Sequence, residues 1–187
     1  MTVASKPGLS AAAYLARERD SQEKHALWDG AIFAMAGASP RHNRIVAGVL
    51  RVFGVALLGK PCQTFASDQR IRIVGTERYV YPDATVICPP FEADPNDEMT
   101  LQNPKLVAEV LSPTTEAFDR GDKFIAYRSI PSLTDYLLFG QDGPRVEHYT
   151  REGGGSWRLV TLGAADVISL QALAIELSVA DIYAGIE

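Results

Sequence analysis

Two carboxylates stand where a carboxylate is costly. Glu109 interrupts the apolar run Leu106-Val107-Ala108-Glu109-Val110-Leu111, and Asp83 interrupts Tyr81-Pro82-Asp83-Ala84-Thr85-Val86-Ile87. A charge inside an apolar strand is unfavourable unless it is paired or bound to a metal. The two acids are separated by a polar loop, as acids on two neighbouring strands would be. Carboxylates converging on one spot repel each other unless a hard divalent cation lies between them. The competing assignment, stronger for Asp83 because it follows Pro82, is an acid at a strand end. Lys123 lies one turn into the helix expected after the Glu109 strand, where its ammonium could meet a phosphate or a nucleophilic water. An ordinary exposed helix lysine is the alternative there. His42 shares a helical face with Ile45, Val46 and Val49, so it points inward, and it stands at a helix start where the dipole favours anions. We expect it to face the carboxylate cleft rather than a sealed core. His25 and His148 fall in apparent strands without an identifiable partner. Cys62 and Cys88 read as small buried hydrophobes.

The elements that must position these groups follow from periodicity and punctuation. Residues 9–19 form a short helix. Leu27-Trp28-Asp29-Gly30-Ala31-Ile32-Phe33 carries the Asp-Gly signature of a two-residue hairpin. Ser39 suits an N-cap and Pro40 a first helical position for a helix over 40–58. In that helix Ile45, Val46, Val49, Val52, Phe53, Ala56 and Leu57 make the apolar stripe, and Arg41, Arg44 and Arg51 lie mostly off it. Strands are expected over 62–65, 68–74, 79–88, 105–111, 134–139, 145–150 and 157–162, with a polar loop over 89–104. Asp119 is read as the cap of a helix running to Ile130. No helix opens after Gly153-Gly154-Gly155, so this run reads as a hairpin tip rather than a phosphate loop. Residues 173–183 close the described pattern as a short strand or helix. With more strands than helices and little regular βαβ alternation, the class is mixed α/β (α+β).

The 187 residues suit a single domain over 1–187, with residues 1–8 expected to be flexible. Hydrophobic residues at 47% and charged residues at 22% exclude a disordered or collagen-like chain. Two cysteines exclude a disulfide framework. No apolar stretch approaches the ~20 residues of a membrane span. A reduced, cytoplasmic protein without membrane contact is the expectation. The net charge of −5 hides an asymmetry. Residues 41–78 are basic (Arg41, Arg44, Arg51, Lys60, Arg70, Arg72 and Arg78), whereas residues 83–119 gather eight acids against Lys105. One region could meet phosphates and the other could hold a cation.

The sequence resembles the Uma2 family of restriction-endonuclease-like proteins. The resemblance is carried by Glu23-Lys-His-Ala-Leu-Trp-Asp29-Gly30, Ala34-Met-Ala-Gly-Ala-Ser-Pro-Arg-His42-Asn43, Tyr81-Pro-Asp83 and Val107-Ala-Glu109-Val-Leu-Ser-Pro-Thr. It continues through Asp119-Arg-Gly-Asp-Lys123 to Tyr127, then Ile130-Pro131-Ser132-Leu133-Thr-Asp-Tyr136. It extends from about residue 9 to the C-terminus. It implies a restriction-endonuclease-like mixed sheet flanked by helices, of the PD-(D/E)XK nuclease superfamily, with Pro82-Asp83 as the PD pair and Glu109 as the (D/E) member. The lysine normally found two positions later is Leu111 here, and the resemblance implies that Lys123 takes its place from the following helix. The superfamily often adds an acid from its first core helix, and the helix over 40–58 has none; Glu23 or His42 would fill that role.

These readings together give a metal-dependent endonuclease acting on nucleic acid, DNA foremost. Asp83, Glu109 and Lys123 would be catalytic, and Asp83, Glu109 and Glu23 would be ligands of Mg²⁺ (or Mn²⁺). His42, Arg41 and Arg44 would contact substrate. A catalytically degenerate module that binds nucleic acid or protein is the alternative, since acids expected near the hairpin are replaced by Ala26 and Ala31. A small-molecule-binding β-rich domain ranks third. A homodimer is expected from the apolar strand faces that include Tyr136, Leu138, Val146, Tyr149, Trp157 and Leu159.

Overall fold

The computed structural model describes residues 8–35 and 37–186. Seven of the eight residues expected to be flexible, 1–7, lie outside that range. The chain opens with helix α1 (Ala11–Arg19) and the hairpin β1 (His25–Trp28) and β2 (Ala31–Ala34). Asp29 and Gly30 both take positive φ, 49° and 82°, as a two-residue turn matched to strand twist requires. Helix α2 (Pro40–Ala56) starts as the sequence demands, with the Ser39 hydroxyl accepting from the His42 N–H and Pro40 in the first turn.

Strands β3 (Gln63–Ala66), β4 (Arg70–Ile73), β5 (Arg78–Val80) and β6 (Ala84–Ile87) follow. The single strand expected over 79–88 is thus two strands. Pro82 has no N–H to donate to a ladder, and the chain leaves one sheet at Val80 and enters another at Ala84. The expected loop over 89–104 also contains structure, β7 (Ala93–Asp94) and β8 (Asp97–Leu101). Next come β9 (Pro104–Val110) and a helical run of α3 (Glu116–Phe118), a π-helical turn (Asp119–Lys123) and α4 (Phe124–Tyr127). Asp119 is not an N-cap but sits inside this run, buried. The remainder is β10 (Asp135–Phe139), β11 (Arg145–Arg151), β12 (Trp157–Gly163), the hairpin β13 (Val167–Leu170) and β14 (Ile175–Ser178), and α5 (Val179–Ile182). Gly153–Gly155 joins β11 to β12, as a hairpin tip would.

Two six-stranded sheets result, in the orders β2-β1-β5-β4-β8-β7 and β12-β11-β10-β9-β6-β3. In the second sheet β9 is parallel to β10 and antiparallel to β6, which makes it mixed. Strand β9 is buried on both faces and alternates between two cores. Leu106, Ala108 and Val110 pack with Ile45, Val49 and Phe53 of α2 and with Ile168, Leu177 and Ile182. Val107 and Leu111 pack with Tyr127, Ile130 and Tyr136 and with Ile71, Ile73 and Val80 of the first sheet. The mixed α+β architecture is as expected, with helices over both sheet faces.

Two further expectations need correction. Cys62 and Cys88 are joined in a disulfide rather than standing as separate thiols. The β3–β6 register pairs Gln63 with Ile87, so the residues one step beyond are brought together, with Cα atoms 4.0 Å apart. The strand faces thought to be free for dimerisation are mostly interior, because Tyr136, Leu138 and Val146 are fully buried inside the two cores. Among those residues only Leu159 is exposed, at 49%. No helix among the described residues is long and apolar enough to cross a membrane.

Helix α2 approaches α5 closely at Gly48, where an added Cβ would collide with the Ile182 carbonyl oxygen. Gly48→Ala is therefore expected to destabilise the fold by about 1–3 kcal/mol, despite the better helix propensity of Ala. Thermal unfolding of the variant checks this; a melting temperature equal to or above wild type would contradict it.

Candidate active site

The break at Pro82 places Asp83 beside the end of β9. Ala84 pairs with Ala108, and the Asp83 Oδ2 accepts from the Val110 N–H at 2.7 Å. Asp83 is therefore the strand-end acid of the simpler reading and also the neighbour of Glu109. Residue 109 shares the sheet face of Val107 and Leu111, so its carboxylate is directed to the aromatic core of Tyr127 and Tyr136. It is 4% exposed.

The helical run closes over this carboxylate. Lys123 Nζ lies 3.0 Å from Glu109 Oε1, and the Tyr127 hydroxyl donates to the same oxygen at 3.0 Å. Lys123 Nζ also lies 2.8 Å from Asp119 Oδ1, although without the alignment of a hydrogen bond. Asp119 is itself fixed by position, since the Tyr136 hydroxyl donates to its main-chain carbonyl at 3.0 Å. The π-helical turn lies at these residues, a distortion often found at functional positions. Asp119 and Tyr127 were not anticipated as site residues. Their spacing of four on either side of Lys123, which puts Asp119, Lys123 and Tyr127 on one helix stripe, is the signal that could have found them.

His42 enters from the N-terminus of α2, with Nε2 3.3 Å from Asp83 Oδ2. It faces the carboxylate cleft. Its other ring nitrogen, Nδ1, is buried without a hydrogen-bond partner. Burial opposes protonation of His42, but Asp83 outweighs it and raises the imidazole above its ordinary range.

Two carboxylates, Glu109 and Asp119, thus share one ammonium, with Asp83 beside them on the imidazole of His42. Burial pushes Glu109 up to about 7, and Asp83 and Asp119 add to the effect against the opposing Lys123. Burial works against the Lys123 charge, but Glu109 and Asp119 outweigh it and hold the amine protonated. Because the folded-state value for Glu109 lies above its unfolded value of 4.5, the folded state binds the extra proton between those limits. The contribution of Glu109 to stability is present below about pH 4.5 and is lost as pH rises through about 7. The metal-free protein is expected to lose this contribution across that window relative to Glu109→Gln, which cannot titrate. Urea unfolding of both at pH 5 and pH 8 measures it; equal pH dependence in the two proteins would refute it.

The remaining expected site residues lie elsewhere. Arg41 bonds the Gln141 carbonyl, beside a groove of about 550 Å³ also lined by Leu111, Ser112, Glu116 and Arg145. Arg44 bonds the Gly185 carbonyl, and Arg51 that of Asp181 at 2.6 Å. The basic face of α2 therefore ties down the C-terminal segment. Glu23 is exposed in the α1–β1 turn and lines a different cleft, of about 850 Å³, with Glu18, Asp68, Tyr81 and Asp97. Among the described residues no hydrogen bond or ion pair links Glu23 to Asp83 or Glu109. The other two histidines have partners: His25 pairs with Glu18 at 3.1 Å, and His148 with Asp135 at 2.7 Å.

Comparison with known proteins bears on this arrangement. The family model described as "Uma2: Putative restriction endonuclease" matches residues 11–181. The chain is 41% identical over 162 residues to the uncharacterized protein sll1609 of Synechocystis sp. (strain ATCC 27184 / PCC 6803 / Kazusa), covering 87% of this chain and 92% of that one. It is 38% identical over 183 residues to the uncharacterized protein slr1290 of the same organism, covering 96% and 94%. Its fold is similar to the crystal structure of "a putative nuclease belonging to DUF820" from Anabaena variabilis ATCC 29413. The TM-score is 0.74 at 14% identity, with 94% of this chain and 97% of that chain covered.

Proposed function

We propose, from the premise that the chain belongs to the Uma2 family, that it is a nuclease: a metal-dependent phosphodiesterase acting on nucleic acid, DNA foremost. The observation that carries this reading is the adjacency of Asp83 and Glu109 on paired strands, with Lys123 3.0 Å from Glu109.

The donor set suits a small hard cation. Asp83, Glu109 and Asp119 bring three carboxylates to a pocket whose cationic groups are the Lys123 ammonium and the His42 imidazole. Among the described residues no group of three or more His, Cys, Asp or Glu could enclose a metal ion. Two carboxylates and retained water are what Mg²⁺ or Mn²⁺ takes in phosphoryl-transfer sites, so Asp83 and Glu109 would hold it. Such an ion polarises the scissile phosphoryl group and lowers the pKa of bound water. The chain's own groups do the rest. Lys123 presents a fixed ammonium to a non-bridging phosphate oxygen, where negative charge develops. Asp119 and Tyr127 hold Lys123 and Glu109 in place, and His42 steadies Asp83.

The test is incubation of supercoiled plasmid, linear duplex, single-stranded DNA and RNA with Mg²⁺, Mn²⁺ or EDTA. Cleavage that requires metal and disappears in Glu109→Gln is expected. Metal-independent cleavage, or none on any substrate, would refute the reading. One observation favours a second reading, a binding module without catalysis: the Lys123 ammonium is already engaged by two carboxylates. That reading predicts nucleic-acid binding with no cleavage under any metal.

A further inference from the structure

Two packed aromatic rings, Trp28 and Phe118, stand beside the carboxylate cleft, and the catalytic reading makes no use of them. In the β1–β2 hairpin Ala26 pairs with Phe33 and Trp28 with Ala31, so Trp28 and Phe33 share one face. Leu27 and Ile32 occupy the other face, against Tyr14 and Tyr79. Phe118, from the helical run, meets Trp28 edge-on with ring centroids 4.8 Å apart. The Lys123 ammonium lies 6.0 Å from the Phe118 ring centroid and 3.0 Å from Glu109, which links the rings to the cleft. Phe33 is 55% exposed and Phe118 36%.

Trp28 has a cation partner of its own. Arg78 lies 4.3 Å from the Trp28 ring centroid and is held by both oxygens of Asp29, at 2.7 and 2.6 Å. That bond occupies the guanidinium, and Lys123 is likewise occupied by two acids. The surroundings are acidic, with Asp83, Glu109, Asp119 and Asp122 nearby. A surface of this kind offers π-faces rather than free cations. It suits unpaired bases turned inward, with the phosphates flanking the scissile one turned toward solvent. A duplex, with both phosphate strands outermost, would bring charge against the acids.

We infer that the cleft takes single-stranded or locally unpaired nucleic acid, with the bases beside the scissile phosphate stacked on Phe118 and Phe33. This rests on the nuclease reading and adds its substrate class. Sequence-tolerant stacking on exposed aromatics is an established way of binding single strands.

The test measures binding and cleavage separately. Binding of a labelled 20-nucleotide single strand containing 2-aminopurine is followed in EDTA, beside the same sequence as a duplex. The wild type is expected to prefer the single strand and to quench the 2-aminopurine. Phe118→Ala and Phe33→Ala should each weaken single-strand binding about tenfold and leave duplex binding unchanged, and Phe118→Trp should restore it. Thermal melts identify any variant that fails to fold; exposed Phe33 supplies a readout independent of the helical run. Unchanged single-strand binding in folded variants, alongside metal-dependent cleavage by the wild type, overturns the stacking inference and leaves the nuclease reading standing. Absence of both binding and cleavage in the wild type overturns both. If Phe33→Ala converts a dimer to a monomer in light scattering without changing single-strand affinity, the rings serve a second copy of the chain and the inference fails.

Discussion

Glu109→Gln is expected to lower metal-dependent cleavage roughly a hundred- to a thousandfold, the loss seen when one preorganised group at a reacting centre is removed. It should leave the fold nearly as stable as before. Gln keeps an oxygen that can accept from Lys123 and Tyr127, both of which bond Glu109 Oε1. It removes one of three neighbouring negative charges, and Lys123 retains Asp119 at 2.8 Å. The repulsion relieved and the ion pair lost therefore offset each other. At neutral pH the melting temperature should stay within roughly 2–4 °C of wild type, equivalent to about 1 kcal/mol for a chain of this length. Mg²⁺ should raise the melting temperature of the wild type but not of the variant, since a ligand stabilises only the state that binds it. Retained cleavage in a folded variant would remove Glu109 from the site. A large loss of stability, with no effect of Mg²⁺ on the wild type, would make it a structural partner of Lys123 alone.

Lys123→Met should be costly in both respects. The change leaves Glu109, at 4% exposure, and Asp119, at 2%, facing each other without the ammonium between them. Removing one partner of a buried ion pair costs about 3–5 kcal/mol. For a chain of this size that is a fall in melting temperature of roughly 6–20 °C. Lys123 opposes the upward shift of Glu109, so its removal drives that carboxyl further up, and the loss should shrink as pH falls. Adding Glu109→Gln to Lys123→Met should recover stability as well, since the double variant buries one charge fewer. Cleavage should be lost in either background. A melting temperature within 2 °C of wild type for Lys123→Met would show that the lysine is not the compensating charge, and the account of the pocket would fail with it.

Much of the machinery is local, and local signals reveal it. The Asp29-Gly30 turn, the Ser39–Pro40 start of α2 and the apolar stripe of that helix are each fixed by residues within a few positions of one another. Glu109 stands out for an equally local reason, as one charge inside a strand that has no polar face. What the order of residues does not carry is how distant segments meet. Pro82 signals a break in pairing, but only the assembled sheets show the chain changing partners there, which sets Asp83 beside Glu109. The arginines of α2 resemble a phosphate-binding face in sequence, yet Arg44 and Arg51 are used by carbonyls more than a hundred positions away. Asp119 has the residue type of a helix cap, and burial against Lys123 gives it a different task. Cys62 and Cys88 are isolated in sequence until the β3–β6 register aligns them. Propensity and capping act over a turn or two of chain, so most elements and the costly acid are legible in the order of residues. Convergence of charges depends on register and packing between segments far apart, so which groups share the pocket follows from how the assembled sheets and helices meet.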